Sequence, residues 1–448
     1  MSSVSKRARA QVFVPADHAA AIQSPEDFSV EGNQLVRTLQ RRDGTDVRTV
    51  VQRVLSSPES STLADLSAEW DKSFLSERQL SPWPATRGHV VMVDLFCGIG
   101  GMSLGVREAC RALGFGFEVA RAFDLDEEAL ATYNANFGAR TGDSLDLGGI
   151  SSMLGSTKTP AEVALVRAVD CEPDLLVAGP PCQGHSNLNN HTRRADPKNE
   201  LYFKVVRAVE LLNPKCVVIE NVPTVTRDLK QVVPRAVEAL RRLGYSVDHG
   251  VVDLQKLGVA QTRKRHVLIA KRLASPSEAR EDGPYADGEL VRAISGAYSR
   301  SPRDARWAMG DLLLTANSGL FIDSLPEIGA VTKERIEYLF TNDLFDLPDT
   351  ERPDCHRDGT HTYQSVYGRM RWDRPAPTVT SGFFTMGRGR YIHPERRSVL
   401  TAHEASRLQF FPDSFDWSEF GTRRGLATAI GNAVPPKLSY VLAAELIR

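Results

Sequence analysis

Apolar and polar positions alternate along the chain in a way that changes from region to region. Between about residues 89 and 271, short β-branched apolar runs alternate with amphipathic stretches of helical period, which is typical of βαβ units with a mostly parallel sheet. Runs that are apolar throughout indicate strands covered on both faces. The clearest strands are predicted at 91–96, 174–179, 216–221 and 266–270, and the clearest helices at 199–212 and 228–243. The pattern therefore predicts an α/β fold.

Segments of different character flank this α/β region. Residues 1–88 are mixed and charge-balanced, and they predict an N-terminal extension with helices around 33–56 and 62–80. Beyond about residue 272 the alternation is lost, and segments rich in Pro, Gly, Ser, Arg and Asp continue to about residue 398. We therefore expect a second, smaller and irregular domain after the α/β region.

A helical pattern returns near the C-terminus. At 401–411, Thr401 and Glu404 have the spacing of a capping box, and a last helix is expected after Pro435 and Pro436. The predicted organisation is an N-terminal extension (1–88), an α/β domain (89–271), a smaller domain (272–398) and a segment that returns to the α/β domain (399–448).

Composition narrows the class of protein without naming a function. Hydrophobic residues make up 42% and charged residues 25% of the 448 positions, which excludes wholesale disorder. The 55 basic and 56 acidic residues give a net charge of −1, so global charge is no evidence for a nucleic-acid partner. The chain has no secretory-signal pattern and no apolar run long enough to span a membrane, so we expect a cytoplasmic protein without a membrane partner. The six cysteines form no CxxC pair, and Cys355, His356 and His361 lack a fourth ligand, so no metal is expected.

A glycine-rich turn follows the first predicted strand, in DLFCGIGGMSLG at 94–105. Its glycines are Gly98, Gly100 and Gly101. Such a turn lets the backbone pass close to a ligand, and a carboxylate after the next strand, here Asp124, can accept the ribose hydroxyls of an adenosine-type cofactor. An NAD-type GxGxxG turn would need glycine where the chain has Ser103. The turn therefore favours S-adenosyl-L-methionine, with the register of the carboxylate open between Asp124 and Asp126.

Three further segments carry candidate chemistry at strand ends. GPPCQGHS at 179–186 holds Cys182 in a loop stiffened by two prolines, ENV at 220–222 ends another strand, and QTRKRHVLIA at 261–270 leads into a third. In an open α/β sheet these ends meet at one edge, where ligands bind. A thiol attacks as thiolate and has an ordinary pKa of ~8.5, so a nucleophilic Cys182 implies activation or a slow step.

Together these motifs resemble those of the DNA (cytosine-5)-methyltransferases. DLFCGIGG resembles the family's cofactor loop, GPPCQ its nucleophile loop, ENV its proton-handling motif and QTRKR its QxRxR motif. LTAHEASRLQFFPDSF at 400–415 and GNAVPP at 431–436 resemble its last two motifs, and all six occur in the family's order. The resemblance implies a Rossmann-like, S-adenosylmethionine-dependent methyltransferase sheet with a smaller, irregular target recognition domain.

The resemblance also implies a mechanism. Pyrimidine C5 is a poor nucleophile, and addition of a thiolate to C6, here from Cys182, makes an enamine whose C5 attacks an activated methyl group. Glu220 would act at N3 and the exocyclic amine. Asn221 would orient that loop, while Arg263 and Arg265 would hold the base's O2 and organise the nucleophile loop.

The implied cofactor is S-adenosyl-L-methionine, and the implied partner is double-stranded DNA whose target cytosine is flipped out of the helix. The residues expected at the cofactor are Phe96, Gly98, Gly100, Gly101, Asp124, Asp143, Pro180 and Asn432. The residues expected at the DNA are Ser186, Thr378, Arg388 and Arg390. Residues 357–397 contain eight Arg, no Lys and three acidic residues, a local charge of 8 − 3 = +5 that suits phosphate contacts.

Two other functions are alternatives to DNA methylation. The family's tRNA-modifying branch shares the catalytic motifs, but its Cys-Phe-Thr signature is absent from this sequence. A non-catalytic nucleic-acid-binding relative would have no need for the intact set of Cys182, Glu220 and Arg263. We expect a monomeric enzyme, while the recognition sequence, a restriction partner and the role of residues 1–88 stay open.

Overall fold

The structure of the protein is a computed structural model. It describes residues 24–52, 62–80, 82–138, 141–181, 200–274, 288–314, 318–357 and 366–448. The strands in these segments are β1 (Glu26–Glu31), β2 (Gln34–Gln40), β3 (Asp46–Gln52), β4 (Arg87–Leu95), β5 (Phe115–Phe123), β6 (Gly142–Asp143), β7 (Leu175–Ala178), β8 (Cys216–Asn221), β9 (Tyr245–Asp253), β10 (Gln261–Thr262), β11 (Lys264–Arg272) and β12 (Ala376–Pro377). The α-helices are α1 (Leu63–Leu75), α2 (Gly101–Leu113), α3 (Glu127–Phe137), α4 (Pro160–Val169), α5 (Glu200–Leu212), α6 (Val232–Arg242), α7 (Glu289–Ala297), α8 (Ala305–Met309), α9 (Ala330–Thr341), α10 (Ala402–Leu408), α11 (Arg423–Asn432) and α12 (Pro436–Ile447).

A seven-stranded sheet of order β6-β5-β4-β7-β8-β11-β9 forms the centre of the molecule. All its neighbouring strands pair in parallel except β11, which runs antiparallel to both β8 and β9. Along the chain, β5 and β6 are added on one side of β4, and β7 and β8 are added on its other side. The switch point of the sheet therefore lies between β4 and β7, where open α/β sheets bind ligands.

Both faces of the sheet are buried, as the uninterrupted apolar strands predict. Successive residues of one strand enter opposite cores: Met92 belongs to the core under α2, α7 and α12, and Val93 to the core under α4, α5 and α6. The α/β prediction is thereby confirmed, together with the strands predicted around 91–96, 174–179, 216–221 and 266–270.

Helix α2, which begins in the glycine turn, packs unusually closely on α12. A Cβ added to Gly105 would lie 2.1 Å from the carbonyl oxygen of Pro436 and 2.1 Å from Oγ of Ser439. The Ser439 hydroxyl donates to the Met102 carbonyl at 2.9 Å. Only glycine permits this approach, so the C-terminal segment packs directly behind the cofactor turn.

The helix expected around 33–56 is wrong, because these residues form part of an antiparallel sheet of β1, β2 and β3. β2 and β3 carry β-branched residues, and the turn between them contains Asp43 and Gly44. The Asp43 carboxylate accepts from the backbone N–H of Thr45 at 2.9 Å, and Gly44 has φ +79°. An Asp-Gly turn between alternating strands is a strong hairpin signal, and it outweighs the helical propensity of the segment. The helix predicted at 62–80 is confirmed as α1.

Buried charges fasten this N-terminal unit to the α/β domain. The Asp71 carboxylate on α1 pairs with Arg303 and, at 2.9 Å, with Lys437 on α12. Arg300 lies 2.6 Å from the buried Glu26 carboxylate, and Arg37 donates to the Tyr440 hydroxyl at 2.9 Å. The predicted N-terminal extension is therefore packed against the α/β domain.

The region predicted to form the smaller domain contains a core cluster of its own. Its buried residues are Ile336, Leu339, Leu347, Val366, Tyr367, Met386, Ile392 and Val399. Helix α7 lies beyond the predicted boundary at 272 but covers the main sheet, since the Asp248 carboxylate on β9 accepts from the backbone N–H groups of Gly288 and Val291 at 2.6 and 2.8 Å. The loss of alternation after 272 thus does not end the layer that covers the sheet.

The C-terminal expectations agree closely with the structure. Thr401 and Glu404 form the predicted capping box of α10, and α12 begins at Pro436. No helix among the described residues is long and apolar enough to cross a membrane.

Removing the Asp71 carboxylate should destabilise the whole fold. The Asp71→Ala variant would leave Arg303 and Lys437 buried without their partner, which costs about 3–5 kcal/mol of the free energy of unfolding. Burial raises the pKa of Asp71, but Lys437 and Arg303 outweigh it and lower the pKa to about 2. Because this lies below the ordinary 3.8, the stabilisation is present above pH 3.8 and is lost as pH falls through about 2.

Denaturant unfolding at neutral and acidic pH measures this effect. The control is Glu31→Ala, which removes an exposed ion pair with Arg48 and should change the free energy of unfolding by less than about 1 kcal/mol. Equal losses in the two variants would contradict the role given to Asp71.

Candidate active site

The turn after β4 is packed tightly on one side and open on the other. Phe96, Gly98 and Gly100 have φ values of 58°, 51° and 88°. A Cβ at Gly100 would lie 2.3 Å from the Phe137 ring, and one at Gly101 would lie 2.3 Å from the Val434 carbonyl oxygen. A Cβ at Gly98 would meet no atom within 4 Å. The turn therefore presents open backbone at Gly98, while Gly100 and Gly101 are required by their neighbours.

Asp124 is the carboxylate that faces this turn. Its Oδ2 accepts from the Gly98 N–H at 2.8 Å, and its Oδ1 accepts from the N–H groups of Leu125 and Asp126 at 2.8 and 3.1 Å. The Asp126 side chain instead caps α3 by accepting from the Ala129 N–H at 3.0 Å. This arrangement favours Asp124 over Asp126 as the cofactor carboxylate.

The same hydrogen bonds limit what Asp124 can offer a ligand. A carboxylate has about four acceptor sites, and three are used by backbone N–H groups. About one further donor fits without rearrangement, fewer than the two ribose hydroxyls expected from the sequence. Asp143 lies on the neighbouring strand, where its carbonyl accepts from the Asp124 N–H at 3.3 Å.

A buried acidic group beneath the turn was missed by the sequence reasoning. Asp94, at the end of β4, accepts at 2.6 Å from the Ser103 hydroxyl, which in turn contacts the Tyr133 hydroxyl at 2.6 Å. Burial raises the pKa of Asp94 to about 8. A carboxyl group within an otherwise apolar strand was the available signal.

Glu220 and Arg265 meet at the carboxyl end of β8. Arg265 Nε lies 2.6 Å from Glu220 Oε1, and the Glu220 residue is 7% exposed. A Cβ added to Gly179, the first residue of the GPPC loop, would lie 4.0 Å from Glu220 Oε2. Glu220 therefore lies beside the start of the loop that carries Cys182.

The Asn221 side chain holds the base of this loop. Its Nδ2 donates to the Pro180 carbonyl at 3.2 Å, and its Oδ1 accepts from the Val222 N–H at 2.8 Å. Asn221 therefore fixes the loop backbone at Pro180, and its role in orienting the loop stays a prediction. Cys182, His185 and Ser186 lie outside the described residues, as does His361.

Burial dominates the electrostatics of Glu220. Loss of hydration raises its pKa, and the nearby Arg265 and Arg263 lower it only in part. Because the pKa stays above its ordinary value, the carboxyl keeps its proton to higher pH than an ordinary glutamate does. The shift is in the direction required of a group that donates a proton or hydrogen bond to a base.

Arg263 and Arg265, which were expected to act together, have different partners in the structure. The Arg263 side chain is 1% exposed and donates to the carbonyls of Val379 at 2.9 Å and Ala433 at 3.0 Å. It binds the protein's own backbone, which does not match the expected contact with the base. Arg265 is the guanidinium at Glu220.

Gln261, the first residue of the QTRKR segment, joins the same segments. Its Nε2 donates to the Leu408 carbonyl at 2.8 Å, and its Oε1 accepts from the Val379 N–H at 3.1 Å. A Cβ at Gly431 would lie 2.1 Å from the Ser381 nitrogen, so the GNAVPP segment touches the same stretch of backbone. Asn432 itself is exposed at the end of α11.

The residues expected at the DNA differ in the contacts that their side chains make within the protein. The Thr378 hydroxyl donates to the Thr262 carbonyl at 2.6 Å. Arg390 donates to the carbonyls of Phe345 and Arg369 at 2.9 and 3.2 Å and pairs with Asp346, so its main contacts are internal, unlike the direct DNA contact predicted for it. Arg388 is exposed.

The strand order, with one antiparallel strand and a glycine turn after the first parallel strand, is that of a Rossmann-like methyltransferase. The model of the family "C-5 cytosine-specific DNA methylase" matches residues 90–448, and the chain belongs to this family. The chain is therefore a DNA cytosine-5 methyltransferase, a family that takes its methyl group from S-adenosylmethionine.

Two curated relatives show how far this likeness extends. The chain is 42% identical to the type II methyltransferase M1.BsuMI of Bacillus subtilis (strain 168), over 94% of this chain and 95% of that protein. It is 29% identical to the type II methylase M.HgiDII of Herpetosiphon aurantiacus, over 80% of this chain and 95% of that protein. The match to M1.BsuMI therefore extends beyond the catalytic domain.

Solved structures support the fold alone. The S. pombe Dnmt2 methyltransferase aligns with a TM-score of 0.54 at 17% identity, covering 80% of this chain and 98% of that one. An E. coli prophage-encoded protein described as a putative DNA modification methyltransferase aligns with a TM-score of 0.51 at 22% identity, with the same coverage of 80% and 98%.

Substitutions of the two arginines should separate folding from chemistry. Arg263→Ala leaves several buried carbonyls without a donor, each costing about 1–3 kcal/mol, and should lower the free energy of unfolding by more than about 2 kcal/mol. Arg265→Ala should be better tolerated, because loss of the cation raises the pKa of Glu220 further and so favours the protonated carboxyl, which needs no partner charge.

Denaturant unfolding measures the first effect and a methyl-transfer assay the second. Arg265→Ala should lose methyl transfer while keeping most of its stability. If Arg265→Ala unfolded as readily as Arg263→Ala, the separation of the two roles would be wrong.

Proposed function

We propose that this chain methylates C5 of a flipped cytosine in double-stranded DNA, with Cys182 as the nucleophile and S-adenosyl-L-methionine as the methyl donor. The single observation that carries the proposal is the buried Glu220, which lies 2.6 Å from Arg265 and beside the GPPC loop, with its pKa raised. A buried carboxyl whose pKa is raised in this way is suited to give a proton or a hydrogen bond to N3 of cytosine.

Cys182 begins the reaction in this proposal. It directly follows Pro181, and Asn221 fixes the carbonyl of Pro180 one residue earlier. The thiolate adds to C6 of the base while Glu220 delivers its proton, or a hydrogen bond, to N3, and the resulting enamine is nucleophilic at C5. After C5 has gained the methyl group, water accepts the proton of C5 and N3 returns its proton to Glu220, so that the C5–C6 double bond forms again as the bond between C6 and sulfur breaks. Cys182 is then released as thiolate.

The residues around the glycine turn fit an adenosine-type cofactor. Gly98 is open on its ligand side, Asp124 offers a remaining acceptor site, and Leu125 beside it is 63% exposed, which leaves an apolar surface for a ring. S-adenosyl-L-methionine supplies an electrophilic methyl group when bound. Phe96, Asp143, Pro180 and Asn432 are the further residues that we assign to its site.

Replacing Cys182 tests the covalent route. Cys182→Ala should abolish methyl transfer and leave DNA binding largely intact, because the thiol contributes by forming a bond and adds little binding energy. Wild-type protein acting on DNA with 5-fluorocytosine at the target should give an adduct that survives denaturation. A tRNA substrate in the same methyl-transfer assay separates DNA methylation from tRNA methylation.

Two outcomes would overturn this part of the proposal. Methylation of DNA without a stable 5-fluorocytosine adduct would exclude the covalent route. Methylation of tRNA in preference to DNA would exclude the proposed substrate.

The cofactor assignment has its own matched pair of variants. Asp124→Ala should weaken binding of S-adenosylhomocysteine, the demethylated product, by roughly ten- to a hundredfold, because a charge-assisted hydrogen bond of about 1.5–3 kcal/mol is lost. Asp126→Ala should cost about 1 kcal/mol of stability through the lost helix cap and leave this affinity unchanged. Calorimetry measures both, and the reverse pattern would show that Asp126 is the cofactor carboxylate.

A further inference from the structure

Charged side chains of alternating sign form a continuous row between the N-terminal unit, α10 and the segment 318–324. From one end to the other, the members of this row are Lys72, Asp311, Arg407, Asp413, His403 and Asp323. We propose that the last three members, called the His403 bridge below, fasten the segment 318–324 to α10 in a pH-dependent way. The bridge holds the segment while the His403 ring carries two protons and loosens it when the ring loses one.

Both ring nitrogens of His403 face a carboxylate. Nδ1 lies 2.7 Å from Asp323 Oδ1, and Nε2 lies 2.8 Å from Asp413 Oδ1. A neutral imidazole has one N–H group and one lone pair, so it can donate to only one of these oxygens. The second contact would place its lone pair against the other carboxylate. Two contacts of this length therefore require the imidazolium form, in which both nitrogens donate.

The charges around His403 favour the imidazolium form. Burial lowers the pKa of His403, but the hydrogen bonds and charges of Asp413 and Asp323 outweigh it and raise the pKa above the ordinary 6.5. Further charged groups on the elements packed around the bridge are Arg407 on α10, Asp311 beside α8, Lys72 on α1 and Arg423 on α11. Arg407 pairs with Asp413 and Asp311, so the two carboxylates of the bridge are the groups that set the charge of the ring.

Loss of one proton from His403 weakens the attachment of the segment. Asp413 retains a second cation, because Arg407 Nη2 lies 2.7 Å from its Oδ2. Asp323 faces His403 with one oxygen, and its other oxygen accepts at 2.6 Å from Ser318, a neutral donor within the same segment. A hydrogen bond from a charged donor is about twice as strong as one from a neutral donor. The neutral ring therefore holds Asp323 by a weaker bond or by none.

The direction of the pH effect follows from the charge of His403. Among the residue types in the row, histidine alone has an ordinary pKa near neutral pH, so His403 is the member that titrates under mild conditions. Because its pKa in the fold is raised above 6.5, the stabilisation is fully present below pH 6.5 and is lost as pH rises through the raised value. The segment 318–324 is therefore held most firmly under mildly acidic conditions.

Titration of the His403 ring tests the first step of the proposal. Full-length protein labelled with ¹³C at Cε1 of histidine is titrated by NMR, and the His403 signal, one of ten histidines, is assigned by its absence from His403→Gln. Its midpoint should lie above pH 6.5. Asp323→Asn should lower this midpoint by about one pH unit or more, because an opposite charge in contact shifts a pKa by about 1–3 units. Asp349→Asn, which removes an exposed carboxylate paired with Arg352, is the matched control and should leave the midpoint unchanged.

Hydrogen exchange measures the attachment of the segment itself. The N–H groups of Asp323 and Ser324 donate to the carbonyls of Leu320 and Phe321 at 3.1 Å, so their protection from exchange reports whether the segment is held. Protection factors, corrected for the intrinsic rate at each pH, should fall in the wild type as pH rises through the His403 midpoint. The fall should reach up to about tenfold for each unit by which the pKa of His403 is raised. His403→Lys, which keeps a cation at this position, should show no such fall, and His403→Gln should show low protection at every pH.

Two results would overturn the His403 bridge. One is a His403 midpoint at or below pH 6.5, and the other is protection of the segment 318–324 that stays constant across a midpoint above pH 6.5. Both are read on the wild type, so the test stands even where a substituted protein does not fold. Neither measurement uses DNA or methyl transfer, so its result is independent of the proposed function.

Discussion

The buried guanidinium of Arg263 joins parts of the chain that lie more than a hundred residues apart. It donates to the carbonyls of Val379 in the smaller domain and of Gly431 and Ala433 near the C-terminus. Burying a charged group destabilises the folded state by several kcal/mol unless the group is hydrogen-bonded. The folded state is therefore stable only when these carbonyls lie within hydrogen-bond distance of Arg263. The active site depends on this junction, because Arg265, two residues after Arg263, lies at the start of β11.

Close backbone contacts at glycines complete the junction. Gly431 lies against the Ser381 backbone, and Gly101 lies against the Val434 carbonyl. A methyl group at either position would push the C-terminal segment away from its neighbour. These contacts therefore hold three segments in one arrangement: the turn after β4, the C-terminal segment and the smaller domain.

Much of the fold and part of the site could be predicted from the sequence, because local patterns determine them. The apolar strands, the Thr401 capping box and the glycine turn each depend on residues within a few positions of one another. The helix expected around 33–56 is wrong because the Asp43-Gly44 turn, a short signal, decides the structure of a longer and ambiguous segment. The internal hydrogen bonds of Arg390 could not be predicted, since its carbonyl partner on Phe345 is 45 residues away in the sequence.

Burial of Glu220 favours the protonated carboxyl that the catalytic proposal needs, and it makes the ionised carboxyl unfavourable for the stability of the fold. Burial that keeps its carboxyl protonated also makes the ionised form costly, so its contribution to stability is full below the ordinary pKa of 4.5 and is lost as pH rises through its raised value in the fold. Arg265 moderates this cost by pairing with the ionised form, and the pKa stays raised because burial is the larger effect. A group set in this balance gives up a proton when a base needs it and tolerates the charge that remains. The position of Arg265 on β11, beside β8, is what makes this balance possible, and β11 is the one strand that runs antiparallel to its neighbours among the described strands of the central sheet.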